Sequence, residues 1–290
     1  MSTVYLNGAY VPADEAVIPV LDRGFLFSDG IYEVTPAYRG HLFRFEAHRA
    51  RLLRGRCELR LEGDTGDLEE MHHELLRRNG LDQARVATVY LQITRGVAPR
   101  THAFPEQPVP LTVYAFAKEY LRPSRARWEE GFSAVTVPDR RWARVDIKTI
   151  SLLGNVLAQQ AAVEAGADDA LLVRDGVALE GAHSNMFAVL NGTLVTHPTS
   201  NVILPGITRE FILELARELG IPVREASIHV EELATAEEVF FTGTTTEVKP
   251  CVRIDGRAVG PGKPGPVARQ LFEAFLERVE AHGVESPASA

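Results

Sequence analysis

Residues 119–130 divide the chain into two parts, and this division constrains the fold more than any other feature of the sequence. The segment Glu-Tyr-Leu-Arg-Pro-Ser-Arg-Ala-Arg-Trp-Glu-Glu lacks the apolar periodicity of its neighbours and is rich in charge. Such a stretch is typical of a connecting segment. We predict a smaller N-terminal domain over 1–118, a linker over 119–130 and a larger C-terminal domain over 131–290, each long enough to bury a core.

Both parts mix strands with helices, which predicts an α+β fold. The pairs Asn7-Gly8 and Arg39-Gly40 each join two strand-like runs, as two-residue hairpin turns do. Asp67 precedes an apolar-periodic run and Gly80 lies just past its end, so the two residues bound a predicted helix. Patterns of this kind predict helices at about 46–60, 67–78, 155–165, 208–219 and 265–281, and strands at about 85–94, 110–117 and 132–137.

Composition and charge argue against several classes of protein. The formal net charge of −8 argues against nucleic acid or an anionic membrane as the main partner. No apolar run approaches the roughly 18 residues of a membrane span, and two cysteines are too few for a disulfide framework. We therefore expect a cytoplasmic protein. His72-His73 lacks metal-ligand spacing, so we expect no metal there and interpret the pair as part of a solvated helix face.

Lys148 is the residue whose surroundings suit its side chain least. It is one of only four lysines in the chain, and it interrupts the β-branched and apolar stretch from Val145 to Leu153. An ammonium group buried there would cost several kcal/mol unless it lost its proton. A neutral amine is a nucleophile, a role that arginine cannot take. The alternative is a lysine that reaches solvent from an edge strand.

Two segments have the form of anion sites. The run from Leu204 to Arg209 leads into the predicted helix 208–219, where free backbone N–H groups and the Thr208 hydroxyl suit a phosphate and Gly206 permits close approach. The run Thr242-Gly243-Thr244-Thr245-Thr246 follows an apolar strand-like stretch and offers hydroxyl and N–H donors. Taken singly, each segment is also compatible with an ordinary capped loop or polar turn.

Glu180 ends another apolar run and is followed by small residues, so a further group can approach it closely. A carboxylate in such a place can pair with a protonated heterocyclic nitrogen. A solvated glutamate at a strand end is the alternative interpretation.

Arg100 and His102 lie two residues apart in a loop bounded by Pro99 and Pro105. Side chains two apart in an extended chain project to the same side. An arginine fork with a histidine donor suits a carboxylate. The alternative is an exposed loop of ordinary polar residues.

Taken together, these segments resemble the branched-chain and D-amino-acid aminotransferases, the fold-type IV family that depends on pyridoxal 5′-phosphate (PLP). The resemblance runs from Tyr5-Leu6-Asn7-Gly8 to Arg253-Ile254-Asp255-Gly256. Its most specific blocks are Asp22–Phe25 with Asp29–Glu33, Asp146–Lys148, Glu180-Gly181 with Ser184-Asn185, and Leu204–Arg209.

The resemblance implies a role for each candidate residue. Lys148, in the C-terminal domain, would form the Schiff base with PLP and move a proton between substrate and cofactor. Glu180 would keep the pyridine nitrogen protonated, so that the ring acts as an electron sink. The remaining implied cofactor contacts, around the phosphate and on the ring face, are Arg51, Leu204, Ile207, Thr208, Gly243 and Thr244.

The Arg100-Thr101-His102 segment is the part of the sequence that separates members of this family. It resembles the R-x-H carboxylate trap of the D-amino-acid enzymes, which works with a tyrosine matching Tyr32 and reaches in from the partner subunit. The resemblance therefore implies a homodimer that transaminates D-alanine with 2-oxoglutarate in two ping-pong halves. The alternatives are a branched-chain L-aminotransferase, an (R)-amine transaminase, an aminodeoxychorismate lyase and, from another class, a non-catalytic PLP-binding protein.

Overall fold

The computed structural model of the chain describes residues 2–283, which form two compact units. Unit 1 contains residues 2–121, 147–151 and 279–283, and unit 2 contains residues 122–146 and 152–278. The boundary after Leu121 lies within the predicted linker. The predicted C-terminal domain extends to residue 290, and its residues beyond 283 lie outside the described part.

Unit 1 is built on one six-stranded antiparallel sheet with the strand order β2-β1-β6-β5-β3-β4. The strands and helices of this unit are β1 (Thr3–Leu6), β2 (Ala9–Pro12), α1 (Arg23–Phe27), β3 (Gly30–Tyr38), β4 (His41–Leu42), α2 (Phe45–Leu59), α3 (Leu68–Arg78), β5 (Ala87–Thr94) and β6 (Thr112–Glu119). Asn7 and Gly8 both have positive φ, as the predicted tight hairpin turn requires.

The core of unit 1 lies between one face of this sheet and helices α2 and α3. Ile31, Val89 and Leu91 from the sheet are buried together with Leu52 of α2 and Leu75 of α3. Asp67 accepts hydrogen bonds from the backbone N–H groups of Glu69 and Glu70, so it caps α3 as the sequence predicts.

Residues 147–151 belong to unit 1, which differs from the prediction that the lysine segment lies in the C-terminal domain. The Tyr32 N–H donates to the Lys148 carbonyl at 2.9 Å, and the Ile150 N–H donates to the Gly30 carbonyl at 3.2 Å. Ile147 is buried in the core of unit 1. Backbone pairing with β3 therefore attaches a segment from late in the sequence to the first unit.

Unit 2 is built on a ten-stranded sheet of mixed direction. Its strands are β7 (Phe132–Pro138), β8 (Asp169–Arg174), β9 (Val177–Gly181), β10 (Asn185–Leu190), β11 (Thr193–Thr196), β12 (Val223–Glu225), β13 (Ile228–His229), β14 (Glu238–Gly243), β15 (Glu247–Ile254) and β16 (Arg257–Ala258). Its helices are α4 (Arg125–Glu130), α5 (Leu153–Glu164) and α6 (Ile207–Glu218), and α7 (Pro266–His282) begins in this unit.

One residue pair closes part of this sheet on itself. The strand order is β12-β11-β10-β14-β15-β7-β8-β9-β13, and β10 also pairs with β9. That extra pairing joins Asn185 to Glu180. Strands β10, β14, β15, β7, β8 and β9 therefore form a ring, and Glu180 lies at its point of closure.

Two local predictions need correction, although the helix and strand content confirms the α+β class. Residues 125–130 of the predicted linker form helix α4, because Ser124 caps its start and Trp128 is buried. His72 is buried rather than solvated, because the apolar face of α3 includes it, whereas His73 is exposed. Within the described residues no helix has the length and apolar character needed to cross a membrane.

Candidate active site

Lys148 lies in an irregular segment of unit 1 in which every second side chain is buried. Ile147 and Thr149 are buried, whereas Lys148 is only half-buried. Its Nζ atom lies 4.2 Å from the centre of the Tyr32 ring. The predicted reactive amine is therefore supported by a strand residue and is not enclosed in the core.

The face of the sheet that carries Tyr32 is lined by aromatic rings. Tyr32 stacks on Tyr90 with ring centres 5.5 Å apart, and Tyr90 stacks on Phe116 at 5.1 Å. All three residues are half-buried, whereas the opposite face of the same strands forms the core of unit 1. Lys148 thus lies at one end of a flat, partly exposed aromatic surface.

Arg51, the predicted phosphate ligand, forms part of a buried cluster of charged and polar groups. It donates two hydrogen bonds to the Glu33 carboxylate, which also bonds the His48 ring at 3.0 Å. Burial alone would raise the pKa of Glu33, but Arg51 and His48 hold that pKa well below its usual range. The Arg51 side chain is therefore held rigidly, and Glu33 remains charged.

Arg100 and His102 lie close together on an exposed loop of unit 1. The Arg100 guanidinium is 5.1 Å from the centre of the Phe27 ring, and the His102 ring is 5.5 Å from it. Both residues are exposed. The two predicted carboxylate ligands thus share one aromatic support.

A network of buried ion pairs holds this loop. Arg23 is bonded to Asp29 through Nε at 2.8 Å, and its Nη1 donates to the Thr101 carbonyl at 2.7 Å. Arg95 also bonds Asp29, and its guanidinium lies 3.7 Å from the centre of the Phe104 ring. These contacts hold the segment between Arg100 and His102, at Thr101, and beyond His102, at Phe104.

Glu180 lies in unit 2 as a buried carboxylate with three hydrogen-bond donors around it. Asn185 Nδ2 donates to its Oε2 at 2.8 Å, the Leu204 N–H lies 3.3 Å from both carboxylate oxygens, and Arg141 Nη1 donates to Oε1. Burial raises the pKa of Glu180, and Arg141 opposes that rise. The site therefore presents an acceptor for a cation in a region that excludes most water.

The start of α6 has the form predicted for an anion site. Gly206 is the residue that precedes the first turn and provides no side-chain cap. The backbone N–H groups of Ile207 and Thr208 belong to that first turn, where N–H groups lack helical partners. A Cβ added at Gly206 would collide with Asn185 Oδ1, so glycine allows this turn to lie against Asn185. Leu204 lies two residues earlier and contacts Glu180 through its N–H.

The second predicted phosphate segment lies at the end of β14. Gly243 is the last residue of that strand, and Thr244, Thr245 and Thr246 form the turn to β15. Within the described residues, the buried hydroxyl groups of Thr242 and Ser184 have no hydrogen-bond partner. Unsatisfied buried hydroxyls are rare in folded proteins, so these two groups are candidates for a polar partner that the protein itself does not supply.

Sequence reasoning missed Arg141 and Asp139, and it assigned no role to Glu33 or His48. The one signal in the sequence was the charged triplet Asp139-Arg140-Arg141 directly after an apolar strand. Nothing local shows that Arg141 meets Glu180, because the two residues are 39 positions apart. Within residues 2–283, no group of three or more His, Cys, Asp or Glu side chains is arranged to hold a metal ion.

Comparison with known proteins identifies the family. A family model described as amino-transferase class IV matches residues 30–254. The chain belongs to the class IV aminotransferases. It is 44% identical over 283 residues to the D-alanine aminotransferase of Staphylococcus haemolyticus, covering 97% of this chain and 99% of that one. It is 39% identical to the D-alanine aminotransferase of Bacillus licheniformis, covering 95% and 96%.

Solved structures show the same fold in this aminotransferase. The Escherichia coli branched-chain amino acid aminotransferase matches with a TM-score of 0.89 at 27% identity, covering 99% of this chain and 97% of that one. The branched-chain aminotransferase of the archaeon Thermoproteus uzoniensis, solved with norvaline, matches with a TM-score of 0.85 at 29% identity, covering 97% and 95%. The predicted fold-type IV architecture and aminotransferase class are thus confirmed.

The family depends on PLP, and the residues of this aminotransferase fit that cofactor. A phosphate suits the uncapped first turn of α6 beside Gly206. A protonated ring nitrogen suits the buried Glu180 carboxylate, and the unpartnered hydroxyls of Ser184 and Thr242 lie in the same unit. The cofactor predicted from the sequence therefore agrees with the donors and acceptors that the structure provides.

Proposed function

We propose that this aminotransferase transfers the amino group of D-alanine to 2-oxoglutarate, giving pyruvate and D-glutamate. The observation that carries the proposal is the pair Arg100 and His102, both exposed and both packed against Phe27. An arginine fork beside an imidazole suits the carboxylate that amino acids and 2-oxo acids share. The near-full-length identity to D-alanine aminotransferases supports the same substrate.

Lys148 is the residue that we propose to hold PLP covalently and to move the reacting proton. Its main chain is fixed by the bond from the Tyr32 N–H, and its amine lies against the Tyr32 ring. A free amine in that position can take the proton from the substrate Cα and return one during the same half-reaction. When bound, PLP supplies an electron sink for the charge left on that carbon.

Glu180 is the residue that we propose to hold the proton on the cofactor ring nitrogen. Its buried, hydrogen-bonded carboxylate favours a cationic partner at short range. We propose that Arg51, Ile207, Thr208, Gly243 and Thr244 donate to the phosphate and that Leu204 packs on the ring. The uncapped helix start beside Gly206 supports this assignment for Ile207 and Thr208.

We further propose a cytoplasmic homodimer in which Arg100 and His102 of one subunit serve the partner. Both side chains are exposed in the single chain, whereas a carboxylate trap is useful only where substrate is enclosed. A partner subunit would supply that enclosure. The two free cysteines, Cys57 and Cys251, suit a reducing compartment. Tyr32 completes the proposed carboxylate contacts.

The test of the reaction is a half-reaction screen. Purified holoenzyme is mixed separately with D-alanine, L-alanine and L-leucine, and the cofactor absorbance is followed without any 2-oxo acid. The proposal expects conversion of the cofactor to its amine form with D-alanine, and pyruvate in equal amount. Conversion by L-leucine alone would instead favour the branched-chain reaction, whose enzymes share this fold. Repeated pyruvate release without an amino acceptor would indicate a lyase.

The test of Lys148 is reduction of the holoenzyme with borohydride and mapping of the labelled peptide. The proposal expects the label on the peptide that contains Lys148 and its loss in Lys148→Ala. Lys249→Ala is the matched control, because Lys249 is also partly buried and pairs with Asp169 at 3.6 Å. A label on Lys249, or on any other residue, contradicts the assignment.

The test of the dimer is complementation between two inactive variants. Lys148→Ala lacks the amine and Arg100→Ala lacks the carboxylate fork. If Arg100 acts in trans, mixed dimers contain one site with both groups, and activity returns when the two variants are unfolded and refolded together. If Arg100 acts within its own subunit, no mixed dimer has a complete site and the mixture stays inactive.

A further inference from the structure

Glu180 is the last member of a chain of four alternating charges in unit 2. Arg174 Nη2 bonds Asp139 Oδ2 at 2.8 Å, and Arg141 bonds both oxygens of Asp139 through Nε at 2.9 Å and Nη2 at 3.0 Å. The Nη1 of Arg141 then donates to Glu180 Oε1. With Glu180 ionised, the two arginines balance the two carboxylates.

Three of the four members of this chain are removed from water. The side-chain exposures of Arg141, Asp139 and Glu180 are 5%, 0% and 5%, whereas that of Arg174 is 25%. Buried charges persist only when they are paired and hydrogen-bonded. Each of these three side chains therefore depends on a charged neighbour, and Glu180 depends on Arg141.

The geometry leaves the Arg141 guanidinium little freedom. Its Nη2 also donates to the Val202 carbonyl at 3.2 Å, and Arg174 Nη2 donates to the Arg141 carbonyl at 3.3 Å. A Cβ at Gly154 would lie 3.1 Å from Arg141 Cγ, so the start of α5 packs against this side chain. The planar fork is fixed on one side by Asp139 and points its remaining donor at Glu180.

We propose that Arg141 is a positioning residue that keeps Glu180 ionised and oriented for the ring nitrogen of PLP. Asp139 fixes Arg141 and offsets part of its positive charge, so that Arg141 stabilises the Glu180 carboxylate without excluding a cationic cofactor from it. This inference rests on the proposed role of Glu180. It adds to that role a residue that does not contact the cofactor and acts only through Glu180.

Charge balance gives Arg141 and Asp139 opposite effects on proton binding. Replacing Arg141 by Met removes a positive charge beside Glu180, so the carboxyl and ring nitrogen together keep their shared proton to higher pH. Replacing Asp139 by Asn leaves Arg141 unbalanced, so the same proton is lost at lower pH. A purely structural role predicts weaker folding in both variants but no such opposition.

The first experiment is a pH titration of the cofactor absorbance in the holoenzyme. It compares the wild type with Arg141→Met, Arg141→Lys and Asp139→Asn. We expect the midpoint to rise in Arg141→Met, to fall in Asp139→Asn and to stay near the wild type in Arg141→Lys. Shifts in the same direction for Arg141→Met and Asp139→Asn, or no shift in either, contradict the proposal.

The second experiment measures PLP release during dialysis of the holoenzyme and forms a double-mutant cycle. We expect Arg141→Met and Glu180→Gln each to speed release by about tenfold, and the double variant to be no faster than Glu180→Gln alone. Effects that multiply would show that Arg141 acts independently of Glu180 and would overturn the proposal. If Arg141→Met does not fold, Asp139→Asn still provides the cycle with Glu180→Gln.

Arg144→Met is the matched control for both experiments. Arg144 pairs with Asp146 two residues away, as Arg141 does with Asp139, but its side chain is 43% exposed. Arg144→Met should leave the titration midpoint and the PLP release rate unchanged. A change in either would show that the effects of the Arg141 variants come from the loss of any arginine charge. If the wild-type protein binds PLP but D-alanine does not convert the cofactor, the proposed reaction is contradicted. The role of Arg141 is then still decided by the pH titration and the release rates.

Discussion

Arg51 and Glu33 form a bidentate ion pair inside unit 1. Arg51 Nε donates to Glu33 Oε1 at 2.7 Å and Nη2 donates to Oε2 at 2.8 Å, and both side chains are buried. Glu33 lies on β3 next to Tyr32 and points to the opposite face of the strand. The pair therefore fixes helix α2 to the strand that supports Lys148, whatever else Arg51 binds.

We expect Glu33→Gln to destabilise the protein by about 3–5 kcal/mol, because it leaves the buried Arg51 without its counter-ion. Denaturant unfolding of the apoprotein measures this change. Arg51 and His48 hold the pKa of Glu33 below its usual range. The contribution of Glu33 to the free energy of unfolding is therefore fully present above the unfolded-state pKa near ~4.3, and it declines as pH falls below that value. The control is Glu46→Gln, which removes an exposed pair with Arg49 and should cause no measurable change. Equal stability of the two variants at neutral pH would contradict the prediction.

Replacing Gly206 and Gly55 by alanine should change the stability of the protein in opposite directions. Gly206 has an ordinary φ of −72°, but a Cβ there would collide with Asn185 Oδ1. Asn185 is buried, and its side chain is hydrogen-bonded to Glu180. Gly55 in α2 has room for a Cβ at 3.5 Å from Ile31. We expect Gly206→Ala to cost about 1–3 kcal/mol through overpacking and Gly55→Ala to gain about 0.5–1 kcal/mol through helix propensity.

Thermal unfolding of both variants and their rates of PLP release check this pair. Gly206→Ala should also release PLP faster, because Asn185 must give up its contact with Glu180, whereas Gly55→Ala should release it at the wild-type rate. A Gly206→Ala variant with unchanged stability and unchanged release would show that Asn185 has another position available.

Local features of the fold could be predicted from sequence because their causes are local. The turn Asn7-Gly8 adopts positive φ at both residues, and Asp67 caps α3 as its pattern indicates. The Glu180–Arg141 contact could not be predicted, because it joins residues from different segments of unit 2. The placement of Lys148 against Tyr32 likewise depends on backbone pairing between distant segments. The sequence indicates which residue types could react, and the fold determines which of them lie close together.

His72 should make the protein sensitive to mild acid. Its ring is 2% exposed, Nδ1 is bonded to the Leu68 carbonyl at 2.6 Å, and within the described residues Nε2 has no partner. Burial lowers the pKa of His72 to about 4. In the unfolded chain the His72 ring binds a proton near pH ~6.5, whereas in the folded chain it does not. The free energy of unfolding is therefore not reduced by this group above that pH. We expect it to fall by roughly 3 kcal/mol between pH ~6.5 and ~4 because of this group.

His72→Phe tests this prediction by removing the titrating group while keeping an aromatic ring beside Phe45. The free energy of unfolding, measured by denaturant at several pH values, should depend less on pH in this variant between about 6.5 and 4. His73→Gln is the control, since His73 is the exposed neighbour on the same helix. If the free energy of unfolding of His72→Phe depends on pH as steeply as that of the wild type, the acid sensitivity comes from other groups.

Phe27 should determine how well the enzyme holds the substrate carboxylate, because Arg100 and His102 both rest on its ring. Replacing Phe27 by Leu removes a cation–π contact worth about 0.5–1 kcal/mol and leaves both side chains freer to move. We expect the KM for D-alanine to rise roughly twofold to fivefold with little change in kcat. Arg100→Ala sets the upper limit, a loss on the order of 2–4 kcal/mol in kcat/KM with the cofactor spectrum intact.

Phe27→Tyr keeps the ring and should keep the wild-type KM. Steady-state kinetics of Phe27→Leu, Phe27→Tyr and Arg100→Ala with D-alanine and 2-oxoglutarate separate the two effects. A rise in KM for both substrates in Phe27→Leu indicates the shared carboxylate, because that is the group the two substrates have in common. A fall in kcat with unchanged KM would place the effect of Phe27 elsewhere, for example in the α1 backbone that also carries Arg23.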